Sequence, residues 1–122
     1  MLIYMASPYT RAPGGLERAF INASKMAASL LKVGVPVFSP IAHSHAISVL
    51  GGIDPKDHTF WMKHCRAVMQ QCEAMAYCLS PGHENSTGMA MELKYFRDAG
   101  KPVFFWSGLA NEVPMNLVSF AG

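Results

Sequence analysis

Apolar positions along the chain fall into two alternating patterns, short unbroken runs and stripes at helical spacing. Leu2-Ile3-Tyr4-Met5-Ala6 is a run rich in β-favouring residues that stops at Ser7-Pro8, and it predicts a buried strand. Leu16, Ala19, Phe20, Ala23, Ala27, Leu30 and Leu31 then recur at steps of three and four, with Glu17, Arg18, Asn22 and Lys25 between them. That stripe predicts an amphipathic helix closed by Gly34. Val35-Pro36-Val37-Phe38-Ser39 predicts a second strand before Pro40, with Pro36 at its start or on an edge. The segment from Ile41 to Pro55 lacks either period and reads as a long loop with one helical turn. Asp57 stands where it can cap a helix whose apolar face carries Trp61, Cys65, Val68 and Cys72. Ala74 to Leu79 predicts the third strand and Ser80 to Gly88 a polar loop. Met89, Leu93 and Phe96 mark a helix ended by Gly100, and Val103-Phe104-Phe105-Trp106 makes the fourth strand.

Strands that alternate with helices over short connections predict an α/β fold, a three-layer sandwich around a mostly parallel sheet of four or five strands. In the flavodoxin-like, Rossmann-like strand order 2-1-3-4, the first and third strands are neighbours and the ligand crevice lies at their carboxyl ends. The loop Ser7 to Arg11 is then expected to face the loop Ser80 to Gly88. No repeat, linker or change of composition divides the chain, so residues 1–122 read as a single domain.

Composition narrows the partners. A hydrophobic content of 51% is enough for a core without disulfides, and a net charge of +2 is too small to wrap a nucleic-acid polymer. The cysteines Cys65, Cys72 and Cys78 form neither a CxxC pair nor a disulfide framework, which fits a reducing cytoplasm. No apolar run approaches the roughly 18 residues that span a bilayer, and no signal-peptide core follows Met1. A soluble, cytoplasmic protein acting on a small molecule is expected.

The candidate chemistry gathers at the third helix. Ser86, Thr87 and Gly88 open it, so hydroxyls and free amides converge there either as a cap or as an anion site. Glu92 follows one turn later, flanked by Met89, Met91 and Leu93; it reads either as a solvated glutamate or as a carboxylate aimed at the crevice. Proximity to the helix N-terminus is expected to keep it ionised. Arg11 can supply a countercharge from the facing loop, with Ser7 and Tyr9 beside it as binding candidates. His43-x-His45 has no third or fourth ligand at a recognisable spacing, so neither metal nor cofactor is expected. His43 is instead a candidate for lining a base pocket. Phe60 and Trp61 are suited to base stacking, yet their helical spacing also fits core packing.

Tyr4, the Ser7-to-Arg11 loop, Asp57 ahead of Trp61, and Ser86-x-Gly88-x-x-x-Glu92 followed by Gly100-Lys-Pro-Val103 together resemble the nucleoside 2-deoxyribosyltransferase-like superfamily. The pattern is most similar to its nucleoside 5′-monophosphate N-glycosidase branch and to small bacterial and phage domains of that kind. The resemblance implies that Glu92 attacks the anomeric carbon, that Tyr4 orients it, and that an aspartate near Asp57 assists departure of the base. Asp54 is the alternative acid, three residues earlier. Ser86 stands six residues before Glu92, where transferases of the family carry an aspartate; a serine there favours a 5′-phosphate. Pro114-Met-Asn116-Leu resembles the tail with which family members complete a neighbouring subunit's site, which implies a homodimer. The expected activity is hydrolysis of a nucleotide N-glycosidic bond. Base exchange by a transferase and a non-catalytic nucleotide sensor are the alternatives.

Overall fold

Side-chain alternation along the central strands decides how the sheet is covered. In β1 (Ile3–Ala6), Ile3 and Met5 enter one apolar cluster while Tyr4 and Ala6 enter another on the opposite face. β3 (Ala74–Cys78) does the same, with Ala74, Ala76 and Cys78 on one side and Met75 and Tyr77 on the other. Every residue of both strands is buried, as expected for parallel strands covered on both faces. The computed structural model describes residues 1–122.

β2 (Val37–Phe38) and β4 (Val103–Trp106) complete a four-stranded parallel sheet in the order β2-β1-β3-β4. In its register Tyr4 pairs with Phe38 on one side and Met75 on the other. α1 (Leu16–Lys32) and α5 (Met115–Ala121) cover the first cluster with Ala23, Met26, Leu30 and Leu117. α3 (His58–Met69) and α4 (Thr87–Asp98) cover the second with Cys65, Met69, Met89 and Phe96. The α/β class and the 2-1-3-4 order predicted from the alternating pattern are those of the structure. No helix is long and apolar enough to cross a membrane.

Three elements differ from expectation. The second strand keeps only Val37 and Phe38, because Pro36 has no amide to give; its carbonyl instead accepts from Ile3 at 2.9 Å. The segment read as a loop from Ile41 contains α2 (Pro40–Gly51), which packs beside α1. Ser39 caps it by accepting from the Ala42 amide, Pro40 occupies its first turn, and Gly52 ends it at φ +69°. No charged residue lies between Lys32 and Asp54, so this helix has no polar stripe by which periodicity reveals it. α5 (Met115–Ala121) adds a short helix at Asn116, where the sequence pattern marks no element.

Candidate active site

The carboxyl ends of β1 and β3 set two loops against each other. At Gly82, with φ +99°, an added Cβ would lie 2.3 Å from the Arg11 carbonyl oxygen, so the loop after β3 rests directly on the loop after β1. This is the juxtaposition that the strand order predicts. Ser7, Tyr9 and Thr10 line one wall of the resulting cleft, and Ser86, Gly88, Met89 and Glu92 of the α4 N-terminal region line another. α2 adds Ile41 and Ser44, while α3 adds His58, Trp61, Met62 and Cys65.

Glu92 is only 7% exposed, and its Oε2 accepts a hydrogen bond from the Tyr4 hydroxyl. Burial raises its pKa from 4.5 to about 7, against the opposing pull of the Tyr4 hydrogen bond. Desolvation therefore opposes the ionisation expected from the helix N-terminus, and the carboxylate titrates around neutral pH. Burial, followed by the neighbouring carboxylate, pushes Tyr4 well above the ordinary phenol value. Tyr4 consequently stays a neutral donor across the physiological range. Cys65 closes the group from α3; burial lifts its thiol to about 11, so it is a packing group here and not a thiolate.

Beside Glu92 lies a corner of unpaired hydrogen-bonding groups. Ser86 caps α4, its Oγ accepting from the Met89 amide at 3.2 Å, and that bond leaves the hydroxyl proton free to donate outward. Thr87 and Gly88 occupy the first turn, where helical geometry provides their amides with no carbonyl partner. Ser7 is 5% exposed and its Oγ has no hydrogen-bond partner. Capping and anion binding are thus compatible at Ser86.

The remaining predicted residues scatter. Tyr9 lines the cleft and its hydroxyl lies 2.7 Å from His45 Nδ1, with His45 stacked on Phe20. His43 turns away from the cleft lining and meets His64 of α3. Arg11 is exposed outside the lining. Asp57 is exposed and its carboxylate accepts from the Phe60 amide, while Asp54 accepts from the Lys56 amide; neither lines the cleft. Asn116 is exposed on α5, on the sheet face opposite Glu92. Phe60 is 48% exposed, whereas Trp61 is half-buried in the cleft wall with Nε1 donating to the Asp54 carbonyl.

Thr10, Ser44, His58, Met62 and Cys65 line the cleft without having been picked out for it. His58, Trp61, Met62 and Cys65 lie at i, i+3, i+4 and i+7, and that spacing identifies one helix face once its partner is known. A larger hollow of about 400 Å³ opens on the α1 face, lined among others by Asn22, Lys25, Ser80 and Ser107. It contains no carboxylate, unlike the smaller cleft. No three His, Cys, Asp or Glu side chains come together as a metal-ligand group.

Comparison with known proteins agrees with this frame. A solved structure of a 2-deoxyribosyltransferase from the psychrotolerant bacterium Bacillus psychrosaccharolyticus superposes with a TM-score of 0.63 at 23% identity. The match covers 99% of this chain and 82% of that one, and it establishes a shared fold. No curated protein matches the chain. A family model described as a domain of unknown function, DUF1937, matches residues 1–108. The chain therefore belongs to the DUF1937 family and has the α/β fold of the 2-deoxyribosyltransferases.

Proposed function

We propose that the chain is an enzyme that cleaves the N-glycosidic bond of a nucleoside 5′-monophosphate with Glu92 as the nucleophile. The observation that carries this reading is the buried Glu92 carboxylate, held by Tyr4 at the carboxyl ends of β1 and β3, beside the unfilled donors of Ser7, Ser86 and the α4 N-terminus. A glycosidic transition state resembles an oxocarbenium ion, and a carboxylate within reach both stabilises it and traps it as an ester.

In the first step a Glu92 oxygen forms a bond to the anomeric carbon while the bond to the base nitrogen breaks. The departing base takes a proton from the loop that begins α3, where Asp57 and Asp54 are the candidate acids and His58 faces the cleft. In the second step water adds to the anomeric carbon, Glu92 leaves as carboxylate, and the water's proton returns to the acid site. The Tyr4 hydroxyl remains a donor to Glu92 throughout, fixing which oxygen lone pair faces the sugar. Trp61 and Met62 supply an apolar wall for the base, and Ser7, Ser86 and the Gly88 amide supply donors for the phosphate.

A transferase reading has its own support, because a protein that shares the fold is a 2-deoxyribosyltransferase. It uses the same first step and differs only in the acceptor. Incubation of nucleoside monophosphates and free nucleosides with the protein, followed by chromatography for released base, tests the proposal. Glu92→Ala serves as the control, and a second free base added to the mixture reveals exchange. Retention of every base by the wild type would refute catalysis; ligand binding in that case would favour a nucleotide sensor. The family resemblance also supports a homodimer in solution, which light scattering checks.

A further inference from the structure

Two histidines outside the cleft lining stand against each other on the surface. His43 on α2 and His64 on α3 are exposed, their Nε2 atoms lie 3.1 Å apart, and their rings are 16° from parallel. Both are held. Phe38 packs against His43 at 5.2 Å between centroids, and Trp61 meets His64 edge-on at 6.1 Å. Trp61 is itself tethered through Nε1 to the Asp54 carbonyl. The His43-x-His45 pairing visible along the chain plays no part in this arrangement, because residues two apart on a helix face different ways; His45 goes to Tyr9.

Two neutral imidazoles in this position share one proton, one Nε2 donating and the other accepting. The same separation suits two imidazoles on one metal ion. With metal–nitrogen bonds of about 2.0–2.1 Å, adjacent ligands in a tetrahedral or octahedral set stand about 2.9–3.4 Å apart. We propose that His43 and His64 form a two-histidine site for a late first-row divalent cation, Ni²⁺, Cu²⁺ or Zn²⁺, with water completing the coordination. Imidazole nitrogen favours these ions over Mg²⁺ and Ca²⁺, which take oxygen ligands. On binding, the shared proton moves from Nε2 to Nδ1 of its own ring, and each Nε2 lone pair then bonds to the ion. α2 and α3 both line the cleft, through Ile41 and Ser44 on one and Trp61 and Met62 on the other, so the ion ties two cleft walls together. The site is separate from Glu92 and does not depend on the proposed reaction.

The chain has two tryptophans, and only Trp61 adjoins the histidine pair; Trp106 is buried on β4. Ni²⁺ titrated into the full chain at neutral pH is expected to quench Trp61 fluorescence saturably, at one ion per chain, with reversal by EDTA and no response to Mg²⁺. His43→Ala and His64→Ala should each weaken binding by about ten-fold or more, since each removes one of two protein ligands. Trp61→Phe should lose most of the quenching while calorimetry still records the same ion. His64→Asn replaces His64→Ala if the alanine variant changes the far-UV circular dichroism. Absence of saturable binding overturns the proposal, as does binding that both histidine variants leave unchanged.

Discussion

The Tyr4 hydroxyl donates to Glu92 Oε2 from a strand residue 88 positions away in sequence, and both side chains are buried. The bond favours the charged carboxylate and burial disfavours it, with burial the larger effect. Removing the hydroxyl therefore moves Glu92 further upward. Tyr4→Phe should shift the alkaline-rising limb of the pH–rate profile, near pH 7 in the wild type, up by about one unit. Activity at neutral pH should drop about five-fold, because fewer molecules carry the ionised nucleophile. A limb that stays in place would show that Tyr4 does not tune this carboxylate.

The same burial predicts a stability effect that needs no substrate. In the unfolded chain Glu92 titrates near 4.5, and in the folded chain near 7, so between these values the folded state retains a proton that the unfolded state has lost. Stability contributed by protonated Glu92 is complete below about pH 4.5 and is lost as pH rises through 7. The loss amounts to about 3 kcal/mol. Glu92→Gln carries no such titration and its amide can still accept from Tyr4. It should match the wild type in urea unfolding at pH 4.5 and exceed it by about 3 kcal/mol at pH 8. Equal stabilities at both pH values would place the Glu92 pKa near its ordinary value.

How far the sequence discloses this site depends on the range of the interactions that build it. α1, α3 and α4 are legible because each alternates a buried stripe with charges, as Ala19, Ala23 and Leu30 do against Glu17, Arg18 and Lys25. α2 is hidden by its lack of charged positions, although the Ser39-Pro40 pair and Gly52 carry its start and stop signals. The order of strands follows from their alternation with helices, and it places the loop after β1 against the loop after β3. The depth of Glu92 does not follow, since it depends on Tyr4 of β1 and Cys65 of α3 arriving from two other places in the fold. Nor does the parting of His43 from His45, which comes from their facing different neighbours across α2.

Ser7 and Ser86 should respond oppositely in stability and alike in binding. Ser86→Ala removes a cap and should cost about 1 kcal/mol of folding free energy. Ser7 Oγ is buried without a partner, so Ser7→Ala should leave stability unchanged or raise it by up to about 1 kcal/mol. Both variants should weaken nucleoside monophosphate binding about ten-fold while leaving unphosphorylated nucleoside almost unaffected. Calorimetric titration with the two ligands checks this. Parallel losses for both ligands would remove the phosphate from this corner.

Gly82 tests whether the contact between the two loops matters to the cleft. An alanine there meets a positive φ of 99° and an oxygen 2.3 Å from its Cβ, so one loop must move. Gly82→Ala should lower stability by about 2 kcal/mol or more, through strain and lost packing together. It should also raise the KM for the monophosphate more than it lowers kcat, because Ser7 and Tyr9 shift while Glu92, anchored in α4, does not. An unchanged KM would dissociate the loop contact from substrate binding.

The acid that serves the leaving base can be separated from the helix cap by substitutions that keep the cap. Asp57 accepts from the Phe60 amide at 3.2 Å, and asparagine caps as well as aspartate does. Asp57→Asn should therefore leave the melting temperature within a degree or two of the wild type. If Asp57 protonates the base, kcat should fall about a hundred-fold or more. A base that leaves readily without protonation should then recover much of that loss. Asp54→Asn, on the same loop but with its carboxylate bonded to the Lys56 amide, should lower kcat less than ten-fold. The reverse ranking would assign the proton to Asp54, and an equal, small effect from both would point to His58, whose side chain faces the cleft.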